Sequence, residues 1–106
     1  VSDKLLVISP HADDAELGCG AYIAKMAGAG KEVHVTVVTT GEVYFSHLKR
    51  VVTPEERQKE LADSSDILGF SWNVLYRDRD TRMDAMPIRE LITDLEEGIR
   101  GFEPNE

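Results

Sequence analysis

Apolar positions along this chain follow two periods in alternation. Leu5-Leu6-Val7-Ile8 is a short continuous run closed by Ser9-Pro10, the pattern of a buried strand. Leu17, Ala21, Ala24 and Ala27 then recur at helical spacing, widened by Ile23 and Met26, and predict a helix over Ala15–Ala29. Gly30 is placed to cap it, while Gly18 and Gly20 lower helix propensity and read as points of close approach to a sheet. Val33, Val35 and Val37 alternate with His34, Thr36 and Val38, so Glu32–Thr39 reads as a strand with one clearly apolar face. His34, in mid-strand, reads as structural. A long loop is expected over Thr40–Val52.

Thr53-Pro54-Glu55-Glu56 then supplies an N-cap, a first-turn proline and an acidic third position. The helix it opens continues through Leu61 and Leu68 and stops at Gly69. Ser71–Tyr76 reads as a third strand, followed by the alternating charges of Arg77-Asp78-Arg79-Asp80-Thr81-Arg82. Ile88, Leu91, Ile92, Leu95 and Ile99 form an apolar stripe on a last helix, expected over Ala85–Arg100 with Asp84 as cap and Pro87 in the first turn. Strands alternating with helices predict an α/β fold: a Rossmann-like three-layer αβα arrangement around a mainly parallel sheet. Residues 1–106 then form one domain at most, its pattern stopping before a fourth strand.

Charge narrows the partners. Twelve basic against twenty acidic residues leave a net charge of −8, which argues against a nucleic-acid surface. No apolar run approaches the ~20 residues of a membrane span, and no signal-peptide pattern is visible. The single Cys19 excludes an internal disulfide and fits a reducing, cytoplasmic setting. It reads as a small packing residue. The assembly, a homo-oligomer among the options, is left open.

The candidate chemistry lies in Ser9-Pro10-His11-Ala12-Asp13-Asp14-Ala15-Glu16, where the first strand gives way to the first helix. Ligands of open α/β sheets bind at this carboxyl edge. One imidazole and several carboxylates within six residues are deprotonatable ligands suited to Zn, Fe or Mn. If the helix starts near Asp14, His11 and Asp14 can fold back toward one point while Asp13 stays beside a water. The competing explanation is that Asp13 or Asp14 simply caps the helix; it accounts for neither the second Asp nor His11.

Pro10-His11-Ala12-Asp13-Asp14-Ala15-Glu16-Leu17-Gly18 resembles the signature of the zinc-dependent N-acetylglucosaminyl de-N-acetylases, the PIG-L or LmbE-like deacetylases. The resemblance implies that His11 and Asp14 ligate Zn²⁺, with other divalent metals such as Fe²⁺ also admissible, and that Asp13 is the general base. It implies a small-molecule sugar conjugate as substrate, from which an N-acetyl group is removed. Thr39-Thr40-Gly41-Glu42 matches a Thr-x-Gly-Glu-like stretch, in which Glu42 either supports the site or is solvated. Arg57-Gln58-Lys59-Glu60-Leu61 matches an Arg-x-x-Glu-Leu pattern, with Arg57 either binding substrate or paired with Glu60 on a solvated face. Asp78 stands where the family often has the Asp of a Pro-Asp pair, though Arg77 replaces the Pro. The resemblance also implies a later His-x-Asp-His motif carrying a third ligand, which these 106 residues lack. They are therefore expected to hold metal weakly and, by themselves, to be inactive.

Two other classes fit parts of the pattern. A receiver-like signalling domain would bind Mg²⁺ through Asp13 and Asp14 and be phosphorylated on Asp78; His11 and the early glycines argue against it. A non-catalytic fragment that binds a partner is the third.

Overall fold

A computed structural model describes residues 3–10, 14–40, 43–45, 49–76 and 87–106. The elements run in the order β1 (Lys4–Ser9), α1 (Asp14–Gly28), β2 (Glu32–Thr39), β3 (Val43–Phe45), β4 (Arg50–Val52), α2 (Pro54–Leu68), β5 (Ser71–Tyr76) and α3 (Ile88–Phe102). β1, β2 and β5 form a parallel sheet in the order β1-β2-β5, with Leu5 beside Val33, Val7 beside Val35 and Val37 beside Val74.

Strand alternation divides the sheet into two faces. Leu5, Val33, Val35 and Val37 point to one face and are buried with Ile23 of α1, Leu61 of α2 and Phe70. Leu6, Ile8, Thr36, Asn73 and Leu75 point to the other, where they line a cavity of about 20 Å³ with Leu95 and Gly98 of α3. α1 and α2 thus cover one face and α3 the other, giving the expected three-layer αβα fold. The change of face after β5 carries the chain back to β1. There Leu6 N–H donates to Glu106 O at 2.9 Å and Glu106 N–H to Lys4 O at 3.2 Å, the bonding pattern of a parallel pair. Asn105 Oδ1 accepts from Lys4 N–H at 2.7 Å and reinforces the contact.

Helix ends follow their sequences. Gly30 takes φ +84°, Gly30 N–H donates to Ala27 O and Lys31 N–H to Met26 O, a Schellman closure. Thr53 Oγ1 accepts from Glu56 N–H at 3.2 Å, and Gly69 at φ 85° ends α2.

Three expectations need correction. Thr40–Val52 contains an antiparallel pair, β3 with β4, because β-branched and aromatic residues flank the Ser46–Lys49 stretch on both sides. Gly18 and Gly20 do not mark close approach to the sheet: a Cβ at Gly18 would touch nothing, and one at Gly20 only Leu68 at 3.9 Å. Between them Cys19 leaves helical geometry (φ −146°, ψ 26°) while packing on the core. α3 begins at Ile88 with Pro87 extended before it (φ −60°, ψ 127°), since proline restricts the preceding backbone as well as its own; Asp84 lies outside the described residues. Within the α3 stripe Leu91 and Leu95 are half-buried, whereas Ile88, Ile92 and Ile99 are 73%, 49% and 42% exposed.

Candidate metal and substrate site

Parallel pairing brings the carboxyl ends of all three sheet strands to one edge. β1 leaves it at Ser9, β2 at Thr39 and β5 at Tyr76. Thr39 N–H donates to Pro10 O, and Thr40 N–H to Tyr76 O, both at 3.2 Å, so the ladder continues just past the strands. The helices α1 and α2 start from the same edge. Gln58 Nε2, in the second turn of α2, lies 3.4 Å from Thr40 Oγ1. Both positive dipole ends therefore face the loops, which favours carboxylates and anionic groups there. The layer switch falls between β1 and the chain's last residues, so the crevice predicted for such folds opens beside the end of β1.

The predicted site residues distribute over this edge. Asp14 is the first residue of α1. Arg57 lies one turn into α2 and is half-buried, its N–H donating to Thr53 O at 3.1 Å. His11, Asp13, Glu42 and Asp78 lie outside the described residues, in the segments that follow β1, β2 and β5. Among the described residues no group of three or more His, Cys, Asp or Glu comes together. His34 lies elsewhere, with Nδ1 at 2.7 Å from Ser71 Oγ and Nε2 at 2.7 Å from Asn73 Oδ1. Its ring is 5.5 Å from that of Phe102.

Three threonine and glutamine groups at this edge escaped assignment from sequence. Thr39 and Thr40 are 2% and 0% exposed. Thr40 Oγ1 accepts from Gln58, whereas Thr39 Oγ1 is buried and, among the described residues, has no hydrogen-bond partner. A polar residue closing a row of valines was the available signal.

The resolved pKa shifts belong to the opposite end of the sheet. Lys31 Nζ stands 2.5 Å from Asp3 Oδ2. Hydrogen bonding to Lys31, then to Asn105, holds the Asp3 carboxyl below its ordinary value, and the bond to Asp3 raises Lys31. Tyr22 Oη donates to Glu106 Oε2 at 2.6 Å, a bond that raises the phenol. None of these groups borders the candidate site.

The stretch that follows β1 carries an imidazole and two carboxylates in sequence, donors of the kind a divalent cation takes. A family model described as PIG-L, GlcNAc-PI de-N-acetylase, matches residues 6–105. An uncharacterized deacetylase, YaiS, of Escherichia coli (strain K12) is 31% identical over 102 residues, spanning 96% of this chain and 51% of that protein. A 1D-myo-inositol 2-acetamido-2-deoxy-alpha-D-glucopyranoside deacetylase of Rhodococcus jostii (strain RHA1) is 38% identical over 66 residues, 62% of this chain and 20% of its own. The solved structure of N,N'-diacetylchitobiose deacetylase from Pyrococcus horikoshii, complexed with its inhibitor MPG, superposes with a TM-score of 0.77. It is 32% identical and covers 98% of this chain and 39% of that one. The chain thus spans about half the length of the E. coli protein and less of the other two.

Proposed function

We propose, since this chain belongs to the PIG-L family of GlcNAc-PI de-N-acetylases, that it forms the ligand-bearing half of a metal-dependent amide hydrolase. The reaction is removal of an N-acetyl group from an N-acetylglucosamine-type sugar conjugate. The observation that carries this reading is the convergence of the end of β1, the end of β2 and the start of α2 on one carboxyl edge. The named activities of the Rhodococcus and Pyrococcus relatives, both deacetylases of amino-sugar compounds, support it.

His11 and Asp14 hold the cation, Zn²⁺ by the chemistry of the donor set. When bound, the ion supplies Lewis-acid polarisation of the acyl carbonyl and acidifies a water. Asp13 takes a proton from the attacking water as its oxygen bonds to the acyl carbon. The C–N bond then breaks, the nitrogen is protonated, and acetate and a free amine leave. Arg57, at the positive end of α2, offers paired donors to the oxygens of the conjugate; Glu42 and Asp78, which follow β2 and β5 in sequence, are the further substrate-binding candidates.

The test is Asp13→Ala in protein spanning the whole domain, assayed on an N-acetylglucosamine conjugate. The expected loss is roughly 100- to 10,000-fold in kcat, with zinc content unchanged. Undiminished turnover contradicts the role of Asp13.

A further inference from the structure

We infer that Thr39 is a positioning residue for the proposed metal site, its hydroxyl gaining a hydrogen-bond acceptor only when the site is loaded. The inference rests on the metal reading above and deepens it. Thr39 ends a row in which Val33, Val35 and Val37 occupy the same face of β2, all three buried. Valine at position 39 would fill nearly the same volume and continue the row. The hydroxyl instead sits at 2% residue exposure with no partner for Oγ1 among the described residues. Buried polar groups are otherwise paired, because their desolvation is uncompensated when they are not. A threonine with an orphan hydroxyl therefore weakens the empty protein relative to valine.

Its location says what the hydroxyl serves. Thr39 N–H donates to Pro10 O at 3.2 Å, which sets this residue against the start of the β1–α1 turn, next to His11 in sequence. Strand alternation puts its side chain on the α1 side of the sheet, beneath the helix that Asp14 begins. A buried hydroxyl donor beside Pro10, four residues ahead of Asp14, is placed in the chain to orient an anionic ligand group, as outer hydrogen bonds do at metal centres. The neighbouring Thr40 differs in that its oxygen accepts from Gln58 Nε2 at 3.4 Å.

The experiment titrates zinc into the wild-type protein and into Thr39→Val, Thr39→Ser and His11→Ala, using a competing chromophoric chelator, and records metal-free Tm for each. Thr39→Val is expected to keep or raise the metal-free Tm while raising the zinc Kd by about 10-fold or more. Thr39→Ser, which restores the hydroxyl, is expected to bind zinc within about two-fold of wild type. Zinc binding lost in His11→Ala but intact in Thr39→Val overturns the role of Thr39 alone. A lowered metal-free Tm in Thr39→Val, with Kd weakened to match, assigns Thr39 to packing and overturns it too. Zinc binding that survives His11→Ala overturns the metal reading, and this inference with it.

Discussion

Asp3 and Lys31 precede β1 and β2, and their contact pins the two strand starts together. The effect on stability has a defined sign. The Asp3 carboxyl is held below its ordinary 3.8 by hydrogen bonds from Lys31 and Asn105. Its contribution is therefore fully present above that value and is lost as pH falls through the lower folded-state pKa. Lys31 is raised above 10.5, so its share is present below that value and lost as pH rises through the folded-state pKa. Asp3→Asn is expected to lower Tm slightly near neutrality, where the pair is charged, and to converge with wild type in acid, so the acid limb of its Tm-against-pH profile is flatter. Both groups are well solvated, so the change is small; an acid limb identical to wild type would show that the pair contributes nothing.

At the scale of elements, α2 carries the most local instruction. Thr53 caps it, Pro54 opens it and Gly69 closes it in the left-handed conformation. Gly69 also lies tightly against α1, where an added Cβ would come 3.1 Å from Ala27 Cβ. Gly69→Ala therefore meets backbone strain and a crowded neighbour together. Chemical denaturation should show a loss of about 1–2 kcal/mol; a neutral result would mean that the α1–α2 contact relaxes freely. These same signals made α2 legible beforehand to within a residue, as Gly30 did for the end of α1. The β3–β4 pair was missed because loop length was weighed above the flanking β-formers Val43-Tyr44-Phe45 and Val51-Val52. The start of α3 was placed early because its apolar stripe says nothing about where Pro87 turns the backbone.

For the whole molecule, the continuous apolar run of β1 and the alternation of β2 were enough to give the layers and the edge at which ligands gather. What they could not give is depth of burial. The stripe of α3 reads as core by periodicity, yet Ile92 and Ile99 remain exposed, since periodicity records an apolar face and not what covers it. The candidate site was legible as a motif, Pro10 through Glu16, because imidazole and carboxylates seldom crowd a strand end for packing alone. Thr39 was not, since its significance depends on burial without a partner, which only three dimensions reveal. The path from β5 through α3 to the parallel contact with β1 then makes the layer switch coincide with the motif. That coincidence underlies the functional reading: the proposed ligands follow the strand beside which such folds bind their ligands.

Zinc K-edge X-ray absorption of the metal-loaded protein addresses that reading most directly. The account predicts imidazole scattering together with oxygen ligands at about 2.0–2.2 Å, the imidazole contribution disappearing in His11→Ala and the oxygen shell changing in Asp14→Ala. A spectrum unaltered by both substitutions would contradict it.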